Sequence, residues 1–149
     1  MEQAPHTFDP TILREYDIRG LVGKTLNEND AFAIGCAFGT KIRRLDGQNV
    51  CVAYDGRESS PAFAEKLIAG LCSTGVNVEN IGLGPTPMLY FAVKDRKADG
   101  GIMITGSHNP AEYNGFKMTL QNSSVFGEAV QEIGCIAAAG DFEQGNGTS

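Results

Sequence analysis

The chain of 149 residues suits one domain with a hydrophobic core of useful size, and its 42% hydrophobic and 20% charged content is ordinary for a soluble globular protein. Eighteen acidic residues against 12 basic ones give a formal net charge of -6, which leaves no basic excess for unaided nucleic-acid binding. No apolar stretch is long enough to span a bilayer and no signal-peptide pattern opens the chain, so the expectation is a cytoplasmic protein with no membrane and no nucleic-acid partner.

After Pro10, the run Ile12 to Gly20 reads as a short extended piece. A helix follows from about Asn27, its apolar face formed by Ala31, Ile34, Gly35, Phe38, Ile42 and Leu45 at a 3.6-residue period. Gly35 and Gly39 signal close helix packing. Lys41, Arg43 and Arg44 complement the negative end of its dipole. Val50 to Tyr54 is apolar on both faces, as a central strand covered by helices would be. Ser60 as N-cap and Pro61 at the first helical position open the next helix. Phe63, Ala64, Leu67, Ile68, Leu71 and Cys72 give it a buried stripe, and Gly75 ends it.

Val76 to Leu83 reads as a third strand, and Thr86-Pro87 starts a helix running to about Lys97. Gly101 to Thr105 is a fully apolar strand, and Phe116 to Leu120 a strand with one polar face carrying Lys117 and Thr119. A last helix spans about Gly127 to Ala139, and residues 140–149 have the composition of a linker. The alternation predicts a three-layer α/β/α fold over 1–139 with a mostly parallel, mixed sheet, its strand order left open. Ligands bind such sheets beyond the strand carboxyl ends, so the Asp55 to Ser60 and Gly106 to Asn114 loops share one rim.

The four cysteines, Cys36, Cys51, Cys72 and Cys135, include no C-x-x-C pair, and the histidines are His6 and His108 alone. Three cysteines fall in predicted helices and Cys51 in a buried strand, where a free thiol packs as a small hydrophobe. That pattern argues against a zinc site or a disulfide framework.

The loop Thr105-Gly106-Ser107-His108-Asn109-Pro110 carries more chemistry than a turn needs. A serine hydrolase requires a base oriented toward its hydroxyl; His108 is adjacent in sequence and points elsewhere, and the pattern G-x-S-x-G is missing. A phosphoryl carrier fits better, since a serine on a tight Gly-rich turn presents its oxygen and backbone N–H groups can form an anion nest. Arg19 and Lys117 are candidate cations and His108 a candidate hydrogen-bond donor. Each also has a plainer reading: a surface ion pair for Arg19, a solvated strand face for Lys117, a loop cap for His108.

The stretch from Thr105 to Pro110, with Tyr113-Asn114-Gly115-Phe116-Lys117 behind it, resembles the phosphoserine loop of the α-D-phosphohexomutases. Arg14 to Gly20 resembles that family's N-terminal signature, and the form T-G-S-H-N-P is most similar to the bacterial phosphomannomutase/phosphoglucomutase branch. The resemblance implies that Ser107 carries a phosphoryl group and exchanges it with hexose 1- and 6-phosphates of mannose or glucose through a bisphosphate intermediate. It implies Mg²⁺ ligated through the Ser107 phosphate, glucose 1,6-bisphosphate as activator, Arg19 and Lys117 stabilising the phosphoryl group, and Lys117 assisting proton transfer. It implies further that His108 orients the loop and Tyr16 lines the sugar pocket. Full-length members have four domains and this chain matches the first; their Asp-x-Asp-Gly-Asp metal loop has no counterpart here. The isolated domain is therefore expected to be inactive, its partners being the remaining domains of the same enzyme. The alternative is a standalone anion- or sugar-phosphate-binding module without catalysis.

Overall fold

The computed structural model describes residues 1–149. A 3-10 turn, Pro10–Ile12, leads into β1, Ile18–Leu21, and then α1, Glu28–Arg44. α1 opens with a full capping box, in which the Asn27 side chain accepts from the Asp30 N–H and the Asp30 carboxylate accepts from the Asn27 N–H. β2 (Asn49–Tyr54), α2 (Ser60–Ser73), β3 (Asn77–Leu83), α3 (Thr86–Asp95) and β4 (Gly100–Ile104) follow as a strand–helix alternation. β5 (Tyr113–Leu120), a two-residue β6 (Ser123–Ser124) and α4 (Glu128–Ala139) complete the chain.

The main sheet runs β1-β5-β4-β2-β3, with β6 on β5. β2 pairs parallel with both β3 and β4, whereas β5 is antiparallel to β4 and β1, so the sheet is mixed. In β2, Val50 and Val52 join the large core beneath α1, α2 and α4, while Cys51 and Ala53 join a smaller one beneath α3. This two-faced burial is why the strand reads as continuously apolar, and it makes the three-layer α/β/α arrangement. α1 and α2 meet backbone to backbone: a Cβ on Gly35 would lie 2.3 Å from the Leu67 carbonyl oxygen, and one on Gly70 2.2 Å from that of Phe32.

Several local expectations change. Ser60 is the first residue of α2 and not its cap, which is Ser59; the Ser60 hydroxyl donates to the Asp55 carboxylate at 2.7 Å and accepts from Asn114 Nδ2 at 3.0 Å. Thr86 likewise opens α3 from within, behind Pro85. Leu45 is 59% exposed, having passed the end of α1, whose helical face stops at Ile42. The polar face expected of β5 is largely covered: Thr119 is buried and Lys117 half-buried.

The segment 140–149, expected as a linker, is docked. Gly145 and Gly147 N–H groups donate to the Ser73 and Cys72 carbonyls, and the Thr148 carbonyl accepts from Val78 N–H at 2.7 Å. Arg44 pairs with Asp141 and Glu143. The glycines here serve close approach, since a Cβ on Gly147 would overlap the Val76 carbonyl. Composition alone does not separate that use from flexibility.

Candidate functional site

After β2 the connection crosses to β3 on one side, and after β3 it returns through α3 to β4 on the other side of β2. The gap between the carboxyl ends of β2 and β4 is thus the switch point of the sheet, where such folds bind ligands. The two loops expected to share a rim meet there. The Asp55 carboxylate accepts from the Gly106 N–H at 3.1 Å, and the Asp55 N–H donates to the Ile104 carbonyl at 2.9 Å. Burial pushes the Asp55 carboxyl upward, but hydrogen bonds from Ser60, Arg57, Thr105 and Gly106 outweigh it and hold it below the ordinary value.

Ser107 occupies the tip of the β4–β5 loop with a φ of 54°. Asp46 and Lys97 also have positive φ, but both follow helix ends, where a left-handed residue is common. Ser107 alone takes this conformation inside a loop, which costs a non-glycine residue on the order of 1–2 kcal/mol. Its N–H donates to Thr105 Oγ1 at 2.9 Å.

Arg19 is brought to the serine. Its Nη2 lies 3.3 Å from Ser107 Oγ and its Nη1 3.3 Å from Asn109 Oδ1, while Asp17, almost fully buried, accepts from Nη2 at 2.5 Å. The Arg19 Nε is buried without a hydrogen-bond partner. Sheet register places Arg19 opposite Gly115 and Lys117 opposite Met103, so both cations project from the face that carries α3. α3 itself packs over β2 and β4. Lys117 is half-buried and enters no ion pair.

Tyr16 is 73% exposed, its ring 6.5 Å from that of the exposed Phe126. His108 is also exposed and supplies none of the bonds that fix the loop, most of which come from another residue. That residue is Arg57. Its Nη1 donates to the carbonyls of Pro110 and Tyr113 at 2.6 and 3.0 Å, and its Nη2 to those of Ser107 and Asn109 at 3.2 and 2.7 Å. Nε completes the set by donating to Asp55 at 3.2 Å. An arginine in a polar Asp-Gly-Arg-Glu run reads as solvated, and nothing in its spacing marks the four carbonyls it collects.

The expected nest of free amides is not formed. The Gly106, Ser107 and Asn109 N–H groups are taken by Asp55, Thr105 Oγ1 and the Gly106 carbonyl. Attraction for an anion at Ser107 therefore rests on Arg19, on Lys117 of the same sheet face, and on the one adjacent amide left without an acceptor, the His108 N–H. A cleft of about 680 Å³ borders the loop, lined by residues including Asp55, Arg57, Glu58 and Glu112; Ser107 and Arg19 lie outside it. With three carboxylates in its wall, that cleft does not suit a phosphate. No cluster of three or more potential His, Cys, Asp or Glu metal ligands exists in the chain. Asp17 and Asp55 are each occupied by an arginine, so these residues do not by themselves fit Mg²⁺. The cysteines are unpaired, and no helix is long and apolar enough to cross a membrane.

Comparison with known proteins bears on the fold and the family. Residues 10–144 match the family model described as phosphoglucomutase/phosphomannomutase, alpha/beta/alpha domain I. A phosphoglucomutase from Neisseria gonorrhoeae is 44% identical over 131 residues, covering 88% of this chain and 28% of that protein. A phosphomannomutase/phosphoglucomutase from Pseudomonas putida is 43% identical over 129 residues, covering 87% of this chain and 28% of that protein. A crystal structure of a phosphoglucomutase/phosphomannomutase family protein from Burkholderia thailandensis superposes with a TM-score of 0.93 at 41% identity, over 95% of this chain and 33% of its own. The chain thus spans under a third of the length of the two enzymes it matches in sequence. Its fold, its switch-point serine loop and these matches together make it a member of the phosphoglucomutase/phosphomannomutase family, corresponding to the α/β/α domain I.

Proposed function

We propose that this chain is the phosphoserine-bearing domain of an enzyme interconverting hexose 1-phosphate and hexose 6-phosphate. The observation that carries the reading is the 3.3 Å approach of Arg19 Nη2 to Ser107 Oγ at the switch point of the sheet. In the first half-reaction the phosphorus–oxygen bond to Ser107 breaks and one to the free hydroxyl of a hexose monophosphate forms. The hydroxyl proton ends on Ser107 Oγ, and the product is a hexose bisphosphate. The second half-reaction returns the other phosphoryl group to Ser107 by the reverse exchange.

Charge spreads over the transferring oxygens in the transition state, so catalysis is mostly positioning and charge neutralisation. Arg19 supplies a forked cation fixed by Asp17 and Asn109, and Lys117 a second positive charge on the same sheet face. Tyr16 and His108 are both exposed and free to meet a substrate, Tyr16 at the sugar and His108 beside the serine. Mg²⁺ bound to the Ser107 phosphate would supply further charge neutralisation and draw its other ligands from outside residues 1–149.

The test is intact mass with peptide mapping of the longer protein before and after glucose 1,6-bisphosphate. A gain of one phosphoryl mass on the peptide containing Ser107, lost in Ser107→Ala, is the expected result. Phosphate on another residue, or none under turnover conditions, would reject the reading.

A further inference from the structure

The two peptide units flanking Ser107 are held in different ways. The unit before it is fixed from within the loop: the Gly106 carbonyl accepts from Asn109 N–H and the Ser107 N–H donates to Thr105 Oγ1. The unit after it has one hydrogen bond to the rest of the protein, from Arg57 Nη2 to the Ser107 carbonyl. The dihedral angles of Ser107 are the relation between these two units, so their unusual value depends on Arg57.

The guanidinium is built into that place. All five of its N–H groups have acceptors, four of them carbonyls between Ser107 and Tyr113 whose negative ends converge on it. Its side chain is only 14% exposed. A Cβ on Gly106 would come within 2.2 Å of the Arg57 Cζ, so the guanidinium lies against the loop backbone where no side chain fits. A lysine would keep the charge but has neither the planar fork nor enough donors for this set.

We infer that Arg57 is a positioning residue for phosphoryl transfer: it holds Ser107 in the left-handed conformation that turns Oγ toward Arg19, without touching the reacting atoms. The role rests on the reading of Ser107 as the phosphoryl carrier, but its conformational half is measurable without activity. A residue with positive φ has a short amide-to-Hα distance and gives a strong intraresidue nuclear Overhauser effect. In the 149-residue chain, wild type should show that signal at Ser107, and Arg57→Lys should lose it while core amide shifts stay in place. Should Arg57→Lys unfold, Arg57→Ala with and without added guanidinium ion replaces it, the ion restoring the signal.

In the longer protein, Arg57→Lys should lower kcat by about 100-fold, the effect of an ångström-scale misplacement, with KM nearly unchanged. A left-handed Ser107 retained in both variants overturns the inference, as does normal kcat once the signal is lost. Full turnover by Ser107→Ala would instead reject the carrier reading, and loss of the signal in Arg57→Lys would then still establish the conformational half.

Discussion

Gly106 offers a test of the loop that leaves every charged residue in place. Its φ lies outside the left-handed region, so its backbone alone tolerates alanine; what it lacks is space. In Gly106→Ala the new methyl would sit 2.2, 2.3 and 2.6 Å from Arg57 Cζ, Nε and Nη2, and the guanidinium must move. Moving it strains five hydrogen bonds. At about 1 kcal/mol net per bond the ceiling is about 5 kcal/mol, and water reaching the partly exposed loop should recover about half, leaving roughly 2–3 kcal/mol. For a chain of this size that lowers Tm by roughly 5–10 °C. Thermal unfolding followed by circular dichroism measures it, and a double-mutant cycle with Arg57→Ala assigns it. With the guanidinium gone, Gly106→Ala should cost under about 0.5 kcal/mol, so nearly the whole effect appears as coupling. An equal Tm loss in both backgrounds would mean that the clash with Arg57 is not what keeps residue 106 a glycine.

Asp55 has a depressed pKa, so its share of stability is complete above the ordinary carboxyl value near 3.8 and is lost as pH falls through the lower folded value. Acid titration should therefore show the Ser107 loop amides losing protection only below about pH 4, and Asp55→Asn should weaken that protection already at neutral pH. In the longer enzyme, Lys117→Ala should slow turnover far more than it raises KM, because its charge matters most in the transition state; a rise in KM at constant kcat would assign it to ground-state binding. Residues 1–149 alone should fold yet show no turnover of mannose or glucose 1-phosphate in a coupled assay with bisphosphate and Mg²⁺. They should still bind inorganic phosphate weakly near Arg19, seen as shifts of the Ser107 and Arg19 amides.

The elements themselves were legible because their burial is periodic. Val50 to Tyr54 read as a two-faced strand, and its Val50 to Ala53 part lies buried between two cores; the Gly35 spacing read as close packing and is so. Strand order was not legible, since a pleat records which face is buried and not which neighbour bonds to it. Both caps were misread by one position: Ser59 and Pro85 precede α2 and α3, so Ser60 and Thr86 are already their first residues. At the site, Ser107 and Arg19 were found through the loop and the charge, and they do meet. Arg57 escaped because its bonds go to backbone carbonyls, which carry no residue identity. The same holds for the loop amides, whose partners Asp55 and Thr105 could be recognised only in three dimensions.

The docked tail bears on where this domain can be cut. β3 is an outer strand of the sheet, and an outer strand offers unpaired N–H and carbonyl groups to any other chain that reaches it. Thr148 occupies the outward N–H of Val78, Gly145 bridges in parallel to Thr74, and Asn77 is held by the Thr148 amide and hydroxyl. The Thr148 end of the tail therefore covers the start of β3. A chain ended at Ala139 would keep the serine loop and all four helices, but it would present that start as a template for pairing between molecules. Self-association in such a truncated domain would reflect an uncovered sheet margin and not a physiological contact.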